Sequence, residues 1–202
     1  DLPEAREAEL RAAAALLGVR RVELLRWADS GMGEDPPPGA LVSTPVEEVA
    51  EAVGALLDEL RPDVVVTLDA SDGHRDHVHV RDATLAAVER MPRPPRTYLQ
   101  CLPRSLMGRW AEEVRRRDPS SAYLELGELG TPDELITTVI DVGDHLDRRR
   151  AAIALHASQV PPFAVMPPPL ADAFLGTDHL RRVVPPWTGG EREDRLFPSE
   201  GP

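Results

Sequence analysis

The stretch RPDVVVTLDASDGHRDHVHV, residues 61–80, decides the fold class. Val64, Val65, Val66 and Thr67 are β-branched in succession and Leu68 follows. A continuous run of this kind, too short for a helix, predicts a strand over 63–69 that is buried on both faces, as inside a parallel sheet. Upstream, Val46, Val49, Val53, Leu56, Leu57 and Leu60 recur at helical spacing. Thr44, Pro45 and Glu47 stand where a capping box places N-cap, N1 and N3, so a helix is expected over 45–60, ended by Arg61-Pro62. Downstream, a second helix is expected from about 78 to 90.

The same alternation extends outward. Residues 3–17 carry Pro3 in a first turn, apolar positions on one side and Gly18 as a stop, which predicts a helix. A short apolar run at 22–25 predicts a buried strand, and 27–39 is a Gly- and Pro-rich loop. Strands are expected at 96–102 and 136–142, and helices at 105–117, stopped by Asp118-Pro119, and at 145–158. Helices and strands of these lengths in alternation imply βα units. The expected fold is α/β: a Rossmann-like, doubly wound, mainly parallel sheet with helices on both faces. One domain is expected over 1–187, followed by a polar tail over 188–202.

Composition narrows the function. The 202 residues hold 23 basic and 35 acidic side chains, a net charge of −12, which repels nucleic acid and anionic lipid. Every basic residue is Arg, so a Lys nucleophile or Schiff base is excluded. The lone Cys101 forms no internal disulfide, and it fits a reducing, cytoplasmic setting. No apolar run approaches the roughly 18 to 20 residues of a membrane span. A nucleotide-binding reading lacks any Gly-x-Gly-x-x-Gly after a strand. Trp27, Trp110 and Trp187 read as packing residues, Cys101 as a small buried hydrophobe, and 115–117 as a solvated Arg face opposing a helix dipole.

The chemistry concentrates in 69–80, where His74, His77 and His79 fall within six positions just past a strand's carboxyl end. That is where open α/β sheets bind ligands. Imidazoles beside carboxylates suit a divalent transition metal such as zinc, and Asp76 is placed to set a histidine tautomer. On spacing alone, this chemistry and a solvated His-rich loop carry equal weight. A catalytic zinc takes about three protein ligands, and this stretch supplies one or two.

These residues resemble the LmbE-like, or PIG-L, zinc-dependent N-deacetylases. Gly73-His74-Arg75-Asp76-His77 is similar to the family's second motif, Gly-His-Pro-Asp-His, and His156-Ala157-Ser158-Gln159 to its His-x-Ser-Gln signature. Asp29-Ser30-Gly31-Met32 is similar to a loop of the mycothiol branch, so the resemblance covers about 6–184. It implies His77 as a zinc ligand, His74 as the general acid that protonates the leaving amine, Asp76 as the residue orienting His74, and Asp29 as a contact to sugar hydroxyls. His156 and Gln159 fit structural roles equally, satisfying carbonyls at a helix end. The resemblance further implies a metal-dependent hydrolase that removes an acyl group from an N-acylated amino sugar or glycoconjugate, with a small-molecule substrate and room for a homo-oligomer.

Three departures stand out. The family's first motif, His-Pro-Asp-Asp-Glu, which brings further zinc ligands and the general base, is absent from 1–202. Arg75 replaces the common Pro, and Asp72 stands where the mycothiol branch often has Tyr. The expectation is therefore a chain lacking one or more N-terminal βα units, inactive by itself and weak in zinc. A non-catalytic sugar-binding or scaffold protein that has lost the metal site is the alternative.

Overall fold

The computed structural model describes residues 2–31, 35–159 and 166–197. Its regular elements are α1 (Leu2–Leu17), α2 (Val46–Leu60), β1 (Val64–Leu68), α3 (Arg75–Glu89), β2 (Arg96–Cys101), α4 (Arg104–Arg117), β3 (Thr138–Asp141), α5 (Leu146–Ala154), α6 (Pro168–Leu175) and β4 (Thr177–Val184). No described helix is long and apolar enough to cross a membrane. The chain divides into two compact units, one made of Asp1–Leu24 with Asp141–Asp178, the other of Leu25–Ile140 with His179–Pro202.

In the first unit α1 packs on α5. The 156–159 motif lies here. Ser158 donates from its backbone N and from Oγ to the Glu9 carboxylate of α1, at 2.8 and 2.7 Å. Arg149 of α5 pairs with Asp178 at 2.9 Å and donates to the Leu175 carbonyl at 3.0 Å.

The second unit carries the main core. One face of α2 (Val49, Ala50, Leu57) meets one face of α3 (Ala83, Ala87, Val88), with Val65 of β1 against both. The two alanines of α3, 0% and 2% exposed, let the helices approach closely. A second cluster joins Leu99 and Cys101 of β2 to Ile136. Burial pushes the Cys101 thiol up to about 12, and the neighbouring Asp69 charge adds to the effect.

The α/β class holds, but the sheet differs from the mainly parallel one expected. Its order is β1-β2-β4-β3. β1 and β2 pair in parallel, Val64 opposite Arg96, whereas β4 runs antiparallel to β2, Leu99 opposite Arg181. The reason is the last strand: 177–184 follows α6 directly and enters between β2 and β3 in the reverse direction. Its sequence, TDHLRRVV, hides it, because charged residues interrupt the alternation until their partners are known. Arg182 donates to Glu193 at 2.6 Å and lies over the Trp187 ring at 4.9 Å. Glu193, in the stretch expected as a tail, also accepts from Thr138 Oγ1 at 2.8 Å, and its backbone bridges β3.

Other expectations shift with it. β1 lies at the edge of this sheet and is covered on one face: Val65 faces the helices, whereas Val66 is 45% exposed. Residues 22–25 form no strand. α2 begins at Val46 after Pro45 with no side-chain cap, so the Thr44 capping box does not form. α3 begins at Arg75, earlier than expected, which brings the histidines onto the helix start.

Candidate metal centre

The turn after β1 is shaped by two left-handed residues, Ala70 (φ 66°) and Gly73 (φ 83°), and delivers His74 to the N-cap of α3. Glycine takes this conformation without steric penalty; the alanine does not. His74 caps the helix with its ring: Nδ1 accepts from the Asp76 backbone N–H at 3.2 Å. With Nδ1 an acceptor, the neutral ring carries its proton on Nε2. The group that orients His74 is thus the main chain of Asp76, which leaves the Asp76 carboxylate for other work.

Asp72 is the second organiser. Its Oδ1 accepts from the His74 backbone N at 3.1 Å, and its Oδ2 lies 2.5 Å from His77 Nδ1. A proton held on Nδ1 leaves the His77 Nε2 lone pair available. The His74 and His77 rings sit 4.8 Å apart, tilted by 35°.

The third component comes from 28–31. Ser30, 1% exposed, donates its backbone N–H to Asp76 Oδ2 at 2.9 Å and accepts from the Val42 N at Oγ, 3.1 Å away. Asp29 is exposed, and its Oδ1 accepts from Gly31 N at 2.7 Å. Donor atoms of Asp29, His74 and Asp76 all lie within 4.8 Å of one another. Three of the four expected site residues therefore meet. The fourth, His77, is absent from that donor group and is held by Asp72 beside it.

The electrostatics favour a cation. Burial works to raise the Asp76 pKa, but the Ser30 hydrogen bonds and the charges of His74 and Arg75 outweigh it and hold the carboxyl below its ordinary 3.8. Asp76 Oδ1 is buried with no hydrogen-bond partner. An ionised, half-engaged carboxylate with a second carboxylate and one imidazole gathered around it is a donor set that fits a divalent metal.

A cleft opens beside these residues at the carboxyl ends of β1 and β2, lined by Leu68, Asp69, Ala70, Ser71, Asp72, Gln100 and Leu102. Its wall is fixed from afar. Thr131 Oγ1 donates to Asp69, and Gly130 N donates to the Ser71 carbonyl at 2.9 Å. A Cβ on Gly130 would fall 2.8 Å from the Leu102 carbonyl oxygen, so only glycine fits. The sequence carries no local signal for Thr131 or Gly130 as parts of this site, and Ser30 stands in the quoted 29–32 loop with no role of its own assigned there. A glycine and a threonine ahead of a proline read simply as a turn.

Known proteins place the chain. A family model described as "PIG-L: GlcNAc-PI de-N-acetylase" matches residues 1–88. A Saccharopolyspora erythraea protein named 1D-myo-inositol 2-acetamido-2-deoxy-alpha-D-glucopyranoside deacetylase 1 is 35% identical over 173 residues, covering 77% of this chain and 57% of that protein. A deacetylase of the same substrate name from Mycobacterium sp. (strain KMS) is 38% identical, with 77% and 54% covered. The chain thus spans little more than half the length of these two relatives. A third such deacetylase, from Geodermatophilus obscurus, is 31% identical, with 94% of this chain and 74% of that protein covered. The fold matches the crystal structure of a conserved protein from Thermus thermophilus with a TM-score of 0.52 at 20% identity, over 99% of this chain and 78% of that one. The sequence kinship along nearly the whole chain, together with the His74 to His77 motif at the start of α3, makes this protein a member of the PIG-L family.

Proposed function

We propose that this protein takes part in hydrolysing the acetamido group of an N-acetylglucosaminyl inositol or a similar glycoconjugate, with zinc as its metal. The observation that carries the proposal is the Asp76 carboxylate, its Oδ1 without a hydrogen-bond partner, gathered with Asp29 and His74 and flanked by the Asp72-held His77 beside a cleft at the strand ends. The names of the relatives supply the substrate class.

His77 Nε2, freed by the Asp72 bond at Nδ1, and the Asp76 carboxylate would hold the ion. Asp29, at the exposed rim, is where sugar hydroxyls and the cation meet. Bound zinc polarises an amide carbonyl and lowers the pKa of water toward ~7. In its imidazolium form His74 would protonate the departing amine, and the carboxylate that takes the proton from water would come from the family's first motif. A soluble cytoplasmic enzyme with a small-molecule substrate fits the acidic surface and the single buried thiol.

Equilibrium dialysis against zinc and an amine-release assay on N-acetylglucosaminyl inositol, both run on the chain joined at its N-terminus to a segment bearing the family's first motif, test the reading. His77→Ala should lose the ion. His74→Ala should keep it and lose turnover by on the order of 10² to 10⁴-fold. Wild-type zinc affinity in His77→Ala, or an unchanged rate in His74→Ala, would overturn the assignment.

A further inference from the structure

Arg75 occupies the first position of α3, where its charge opposes the positive end of the helix dipole. Proline is favoured at that position, and His74 before it has φ −78° and ψ 125°, the extended conformation that a following proline requires. Nothing in the helix itself calls for arginine here. The side chain instead reaches across to the loop: Nε donates to the Gly31 carbonyl at 2.9 Å, and Nη2 donates to the Ser30 carbonyl. The next residue, Asp76, grips the same loop in the opposite sense, accepting the Ser30 N–H.

Asp29 is thereby pinned on both sides. Before it, Ala28 forms a bridge to Ala40, with Ala28 N 3.0 Å from the Gly39 carbonyl and Leu41 N 3.0 Å from the Ala28 carbonyl. After it, Ser30 and Gly31 are tied to the start of α3. An exposed carboxylate on a loop otherwise has no reason to stay within 4.8 Å of the His74 and Asp76 donors.

We propose that Arg75 is a positioning residue: it clamps 29–31 onto the start of α3 and so holds the Asp29 carboxylate in the donor cluster. A planar guanidinium meets two adjacent carbonyls with N–H groups set in a fixed fork, a geometry that the rotating donors of an ammonium on a flexible stem do not hold. The proposal rests on the metal reading above for its consequence, but the clamp itself does not need a metal.

The test uses the whole chain as Arg75→Pro and Arg75→Lys, with two readouts: hydrogen exchange at the Ser30 amide, and zinc affinity by competition with a chromophoric chelator. Proline at this position keeps α3, so the melting temperature should stay near wild type. Ser30 exchange should speed up by roughly tenfold or more as the local opening becomes easier, and zinc affinity should fall about 10- to 100-fold, the loss typical of a removed supporting contact. Arg75→Lys should fall between wild type and Arg75→Pro, and it serves if the proline variant does not fold. Wild-type Ser30 exchange in both variants overturns the clamp. Faster exchange with unchanged zinc affinity overturns the positioning role. A wild-type chain that binds no zinc defeats the metal reading instead, and Ser30 exchange alone then decides the clamp.

Discussion

At the residue scale, two side chains do more than their local sequence suggests. Asp72 joins the backbone of His74 to the ring of His77, one carboxylate oxygen to each. Asp72→Asn keeps an acceptor for His74 N but gives up the charge beside His77. Zinc affinity, read by chelator competition, should fall about 10- to 100-fold; unchanged affinity would separate His77 from the metal. Cys101 is the opposite case. It is 4% exposed and its thiol is pushed up to about 12. Since the thiolate is the reactive form, native protein at pH 8 should resist alkylation and react only on unfolding. Rapid native labelling would show that the β2 core opens.

At the element scale, two carboxylates fasten elements that their own sequences leave unfinished. α4 starts after Pro103, which has no side-chain cap, and Asp133 supplies one from 28 residues away: Ser105 N donates to its Oδ2 at 3.0 Å. The Ser105 bonds hold the Asp133 carboxyl below 3.8. A lowered folded-state pKa gives stability that is complete above 3.8 and lost as pH falls through the folded value. Asp133→Ala should therefore lower stability by about 1 kcal/mol at neutral pH, and the gap in melting temperature should close in acid. A gap independent of pH would refute the cap. Glu193, meanwhile, ties β4 to β3 through Arg182 and Thr138, and Arg182 and Glu193 are 14% and 17% exposed. Glu193→Ala leaves that Arg182 charge without its partner and should destabilise by about 2 kcal/mol in thermal or denaturant unfolding; a loss near zero would show the 188–197 stretch to be detachable.

At the scale of the whole molecule, the sheet ends on β1, whose free edge and half-covered face meet solvent within the described residues. Unpaired strand edges are templates for pairing with another chain, and a charge on them suppresses it. Val66→Glu should leave stability within about 0.5 kcal/mol, as at an exposed position, and should reduce concentration-dependent self-association in light scattering. A large loss of stability would mean that Val66 is covered in the assembled protein.

What the sequence determined by itself was local. Helical spacing marked α1, α2, α4 and the body of α3 and α5, β-branched runs marked β1 and β3, the short stretch 96–102 between breakers marked β2, and the placement of 69–80 after a strand marked the site, because these signals are carried by residues within a few positions of one another. Family kinship was legible for the same reason, since the 73–77 motif is contiguous. Tertiary structure alone decided the rest. Ser30 meets Asp76 across 46 residues and Thr131 meets Asp69 across 62, and neither pair leaves a periodic trace. β4 was hidden because Arg182 makes sense only beside Glu193 and Trp187, and with β4 went two of the sheet's three strand pairings. Strand order and loop-to-helix clasps are set by long-range hydrogen bonds and paired charges, whose partners are chosen by the folded backbone and not by neighbours in the chain.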